Sequence, residues 1–77
     1  MTLRLEFTIE PFRDALPGPY VIAARQVAEE SGLEVEFGPF GTSLDGPDEE
    51  IISTMARIAA RAMSEGASSI SLRLDRV

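Results

Sequence analysis

Residues 33–47, LEVEFGPFGTSLDGP, decide how the rest of the chain is read. Leu33, Val35 and Phe37 alternate with Glu34 and Glu36, the two-residue period of a strand with one face in water. Gly38-Pro39-Phe40-Gly41 interrupts the run. Thr42-Ser43-Leu44 then begins a second, weaker one, and Asp45-Gly46-Pro47 stops it. Two short strands about a turn bearing Gly and Pro make a β-hairpin, although the turn is not one of the two-residue types with a strong signature. The hairpin sits at mid-chain, with a similar strand-and-helix unit on each side.

Upstream, Leu3, Leu5, Phe7 and Ile9 alternate with Thr2, Arg4, Glu6, Thr8 and Glu10, which predicts a half-buried strand over 2–10. Pro11 ends it, and a loop containing Pro17, Gly18 and Pro19 follows. Proline is favoured at the first helical position, so a helix is expected from about Pro19. At 100° per residue, Tyr20, Val21, Ala23, Ala24, Val27, Ala28 and Ser31 share one sector, and Arg25, Gln26, Glu29 and Glu30 lie opposite. Gly32 suits a C-terminal cap. Ile22 lies among the polar residues, as an ordinary exposed isoleucine or as an interface contact.

Downstream, Pro47 and the carboxylates of Asp48, Glu49 and Glu50 mark the start of a second helix, because negative charge is favoured at the positive end of the helix dipole. The same carboxylates resemble a metal cluster, but the dipole reading is preferred and no metal site is assigned. Ile51, Met55, Ile58, Ala59, Ala62 and Met63 recur at helical spacing as a buried stripe, the methionines serving as core fillers. Arg57 and Arg61 fall on the outer face. Gly66 closes the helix, and residues 68–75 alternate again, with Ile70, Leu72 and Leu74 inward and Ser69, Ser71 and Arg73 outward.

The order is therefore βαββαβ, in one domain spanning residues 1–77. With right-handed crossovers this predicts a ferredoxin-like α+β sandwich, a four-stranded antiparallel sheet with both helices on one face. The helices are expected to bury Leu3, Leu5, Phe7, Ile9, Val35, Phe37, Ile70, Leu72 and Leu74. Arg4, Glu6, Thr8, Glu34, Glu36, Ser43, Ser69, Ser71 and Arg73 are left on the far side. That polar, small-chained face is a solvated sheet surface, a floor for a small polar ligand, or a wet interface between two sheets.

The totals narrow the function. A chain of 77 residues buries only roughly 60% of the surface its unfolded form exposes. Much of its apolar content is alanine, and with no cysteine neither disulfide nor thiolate metal site supplements the core. Self-association is expected on those grounds. Thirteen Asp and Glu against seven Arg, with no His, leave a net charge of −6, which disfavours nucleic acid. No apolar run suits a signal peptide or a membrane span, so a cytoplasmic protein without membrane association is expected. The chain lacks the Cys-x-x-Cys of metal chaperones and the exposed aromatics and basic face of RNA-binding domains. It also lacks the glycine-rich loop of acylphosphatases, although Arg13 is present. No Ser/His pair, Cys or Lys is available for catalysis, and Glu6 and Glu36 lie on an open, wet face. A non-enzymatic protein without a cofactor is the expectation.

Several pieces taken together resemble the small thiamine-binding (YkoF-like) proteins. They are a first strand ending in Ile9-Glu10-Pro11, Pro19-Tyr20-Val21 opening an alanine-rich helix, and Gly32-Leu33 before the second strand. The turn Gly38-Pro39-Phe40-Gly41-Thr42, the Asp45-Gly46 exit and the closing Gly66-Ala67 complete the likeness, which spans nearly the whole chain. The loop from Arg13 to Pro19 departs from the Gly, Ser and Thr often found there. The resemblance implies a binding protein for thiamine or its pyrimidine portion. Some members carry two such domains per chain, so a homodimer or homotetramer would supply the second half here, with the sheet side as the expected contact.

On that reading Glu6 or Glu36 suits the thiazolium cation. Thr8, Thr42 or Ser43 suits the aminopyrimidine's donors and acceptors, and Phe12 or Tyr20 its ring face. Tyr20 and Phe12 more often cap the end of the core, and Thr42 also suits the turn. The other reading is an oligomeric structural or regulatory domain whose open sheet serves assembly, with no small ligand.

Overall fold

A computed structural model describes residues 1–11, 17–38 and 41–77. The loop positions 12–16, Phe12 and Arg13 among them, and turn positions 39 and 40 lie outside the described residues. The element order is β1 (Thr2–Glu10), α1 (Pro19–Glu30), β2 (Glu34–Gly38), β3 (Gly41–Pro47), α2 (Asp48–Ser64) and β4 (Ser69–Arg76). The strands lie in the order β2-β3-β1-β4, with each neighbouring pair antiparallel. This is the ferredoxin-like sandwich read from the sequence, with β1 and β3 inside and β2 and β4 at the edges.

The alternation of β1 sends Leu5, Phe7 and Ile9 into one buried cluster with Tyr20, Ala24, Val27 and Ala28 of α1 and Ile51, Ile58 and Ala62 of α2. Both helices therefore cover the same face of the sheet. They also pack against each other, and the buried small residues Ala23, Ala24 and Ala28 set how closely α1 approaches, since helix separation follows the side chains at the contact. Gly32 and Gly66, at φ of 75° and 105°, follow the two helices in the left-handed conformation that costs glycine least. Ser31 Oγ accepts a hydrogen bond from the Leu33 N–H at 3.1 Å, which turns the chain from α1 into β2. The Asp48 N–H donates to Met1 O at 3.0 Å, tying the start of α2 to the start of β1. Among the described residues, no helix is long and apolar enough to cross a membrane.

Three expectations need correction. The second hairpin strand does not stop at Asp45. β3 continues through Pro47 because β1 pairs with it over Thr42–Pro47, beyond the Gly41–Asp45 stretch that β2 covers. A Cβ at Gly46 would lie 2.7 Å from Leu33 Cδ2, so the missing side chain leaves room for Leu33 over the strand. Next, Phe37, Leu72 and Leu74 are not buried; they are 45%, 36% and 39% exposed. Alternation puts them on the helix side, but on edge strands where the two helices do not cover them. Finally, Met63 is 49% exposed while Thr54 is buried. Thr54 stands three residues after Ile51 and four before Ile58, on the buried line, whereas Met63 is turned 100° from Ala62.

Candidate functional site

Register fixes what the far face of the sheet presents. Across the strands from β2 to β4, one row runs Glu34, Asp45, Arg4, Asp75. The next runs Glu36, Ser43, Glu6, Arg73. In the third, Gly38 faces Gly41 and Thr8 faces Ser71. These rows follow from the two-residue alternation that sends Leu5, Phe7 and Leu44 to the helices and their neighbours outward.

An open trough of about 420 Å³ lies over the second and third rows, walled by Glu6, Thr8, Glu36, Ser43, Ser71 and Arg73. That volume falls within the roughly 300–1,000 Å³ usual for small-molecule sites. Its β2–β3 end is floored by Gly38 and Gly41, where two outward positions facing each other across the strands carry no side chain and bare peptide planes face the solvent. A Cβ at Gly41 would meet Phe7 O at 3.0 Å and Thr8 Cγ2 at 3.1 Å, and one at Gly38 would meet Gly41 O at 3.2 Å. Glu36 and Glu6 stand on either side of Ser43, two strand spacings apart, or about 9.5 Å between backbones. A second depression of about 330 Å³ adjoins the trough, lined by Arg4, Glu34, Val35, Glu36, Ser43 and Asp45.

The charges are sorted. Arg4 grips Asp45 with both arms of its guanidinium, Nε to Oδ1 at 2.8 Å and Nη2 to Oδ2 at 3.0 Å. The hydrogen bond from Arg4 holds the Asp45 carboxyl below its ordinary range against an opposing desolvation. The same hydrogen bond leads in raising Arg4, with smaller contributions from the charges of Glu6 and Glu36. Arg73 pairs along its own strand with Asp75, Nε to Oδ2 at 3.0 Å. Among the described residues, the ion pairs are these two, so Glu6 and Glu36 face the trough with no cation bound to them. No three acidic side chains among the described residues are placed to hold a metal ion.

The structure gathers Glu6, Thr8, Glu36 and Ser43 around this trough. Thr42 also borders it, but it pairs with Phe7 and so points its side chain to the helix side, leaving the backbone on the trough. Tyr20 is elsewhere: it is 6% exposed within the core, and its hydroxyl donates to Pro11 O at 2.7 Å. Phe12 lies outside the described residues. Gly38 and Gly41 were legible only as turn residues, and Ser71 and Arg73 only as part of a polar face. The signal for them is register, which places Ser71 across from Thr8 and Arg73 across from Glu6.

The fold has close counterparts among solved structures. A protein from Thermotoga maritima assigned to thiamine biosynthesis or salvage superposes with a TM-score of 0.73 at 21% identity, over 97% of this chain and 81% of that one. A hypothetical protein from Methanocaldococcus jannascii gives 0.75 at 25% identity, over 99% and 80%. A domain of unknown function (DUF77) from Bacillus cereus gives 0.76 at 20% identity, over 99% and 76%. No curated protein matches the chain. The family model described as thiamine-binding protein matches residues 5–75, from the middle of β1 to the end of β4, and the chain belongs to that thiamine-binding protein family.

Proposed function

We propose that this chain binds thiamine, or a related pyrimidine or thiazolium compound, in the trough on the open face of its sheet, without catalysing a reaction. One observation carries the reading: a floor of bare peptide at Gly38 and Gly41 lies beside two carboxylates, Glu6 and Glu36, that form no ion pair among the described residues. A flat aromatic ring needs the first, and a permanent cation is attracted by the second. Thr8, Ser43 and Ser71 supply hydroxyls that both donate and accept, as an aminopyrimidine requires. Family membership supports the ligand class, and the Thermotoga maritima structure assigned to thiamine biosynthesis or salvage is consistent with it. Because the trough is open to solvent, assembly into a homodimer or homotetramer is part of the proposal.

The test is a thermal shift with thiamine, its pyrimidine precursor and thiamine phosphates. A ligand at 100 times its Kd stabilises the folded state by about 2.7 kcal/mol. At roughly 4–8 °C per kcal/mol for a domain of this size, the melting point rises by about 11–22 °C. Glu6→Gln and Glu36→Gln reduce that shift for thiamine while leaving the ligand-free melting point almost unchanged. No shift with any of the compounds at millimolar concentration would leave the other reading, a structural or regulatory domain whose open sheet serves assembly.

A further inference from the structure

Glu6 stands between two arginines. Arg4 lies two residues back along β1 on the same face, and Arg73 lies directly across on β4. Side chains directly opposed in a sheet have Cβ atoms about 4.5–5.5 Å apart, so register alone would make Arg73 and Glu6 a cross-strand ion pair. Among the described residues that pair is absent. Arg4 is committed to Asp45 through two hydrogen bonds. Arg73 turns its Nε to Asp75 instead, 3.0 Å from Oδ2 and 3.4 Å from Oδ1.

By backbone position Asp75 is the farther carboxylate, two rises along the strand or about 6.6 Å from Arg73. It is also directly across from Arg4. Because Asp45 already holds Arg4, Asp75 is left to Arg73. Asp75 shares the row of Glu34, Asp45 and Arg4, whereas Gly38 and Gly41 belong to the row on the other side of Arg73. Its pull therefore swings the guanidinium along β4, off Glu6 and away from the glycine floor.

We infer that Asp75 is a positioning residue for the trough: by holding Arg73 it keeps Glu6 available to the ligand's cation. The inference rests on the binding reading above and adds to it a side chain that is not among the trough's wall residues. Ion pairs at a wet surface are weak, with populations shifted by under about tenfold, so Arg73 is shared out by local competition. Without Asp75, the carboxylate directly across from it is Glu6, and an arginine paired there must be displaced before a cation can bind.

Calorimetric titration of thiamine into the full chain, its Asp75→Asn and Arg73→Gln variants and the double variant is the test. Both exchanged side chains reach solvent, so the fold is kept. Asp75→Asn is expected to raise the Kd by about 2- to 6-fold in the otherwise wild-type chain, the competition that one exposed ion pair supplies. Added to Arg73→Gln, it is expected to change the Kd by under about twofold, because a charge acting only across solvent is screened. The Arg73 Nε–H resonance gives a reading without ligand: Glu6→Gln is expected to leave it in place in the wild-type chain and to move it in the Asp75→Asn chain. An equal loss of affinity with and without Arg73 would make Asp75 a distant charge only and overturn the inference. A resonance that answers Glu6→Gln in the wild-type chain, or ignores it in the Asp75→Asn chain, would overturn it too, with the ligand reading intact. A wild-type chain that binds no thiamine removes the ligand reading and this role together.

Discussion

Placing one methyl group on the trough floor, with Gly38→Ala, separates binding from folding. Gly38 sits in extended backbone at the end of β2, and its φ is not in the positive range, so alanine needs no change of conformation. The added Cβ would touch one atom closely, Gly41 O at 3.2 Å, which must give by a few tenths of an ångström. Against that, replacing glycine at a compatible position stabilises by about 0.4–1 kcal/mol through the unfolded state. The two effects oppose, and the melting point should move by no more than a few degrees. Binding should not be spared. The methyl stands about 1.5 Å out of a surface on which a ring lies flat, and overpacking of this kind costs about 1–3 kcal/mol. At 1.4 kcal/mol per decade, the Kd for thiamine should rise by about 5- to 150-fold. Calorimetric titration beside a thermal melt reads both quantities. An affinity within twofold of wild type, with an unchanged melt, would show that the ligand does not lie on this floor.

Leu44→Ala should cost about 2–5 kcal/mol, because Leu44 is fully buried on an inner strand between Leu5 and Val35; a denaturant titration that found under 1 kcal/mol would contradict the core described above. The Arg4–Asp45 pair predicts an acid-side effect. The folded-state pKa of Asp45 lies below its ordinary value of 3.8, so its contribution is present above that value and fades as pH falls through the lowered one. Melts of wild type and Asp45→Asn should therefore converge as pH drops below the ordinary aspartate range. A gap that widened on acidification would have the wrong sign.

The sequence carried the architecture far, because period-two and period-3.6 patterns report which side of an element is apolar. The run from Leu3 to Ile9 and the proline at 19 placed β1 and the start of α1 where they stand. Alternation names a side but not its cover, which is why Phe37, Leu72 and Leu74 were read as buried although they lie on edge strands beyond the helices. The length of β3 was hidden for a related reason. Asp45-Gly46-Pro47 reads locally as a stop, and only its pairing with β1 holds it in the sheet. At the candidate site, Glu6, Thr8, Glu36 and Ser43 were legible as one polar face. The glycine floor was not, since Gly38 and Gly41 look like turn residues until register shows their bare sides pointing outward together. Tyr20 was placed on the correct helix face, but the acceptor of its hydroxyl, Pro11 O, is a tertiary contact that no local pattern announces.

Backbone amide NMR during titration with thiamine tests the central claim most directly, because it reports both whether the compound binds and where. The account predicts saturable shifts concentrated at Glu6, Thr8, Glu36, Gly38, Gly41 and Ser71, with the outer faces of α1 and α2, at Ile22 and Ile52, left in place. Saturable shifts centred on those helix faces, with the sheet amides unmoved, would contradict it, as would a spectrum that millimolar thiamine does not change.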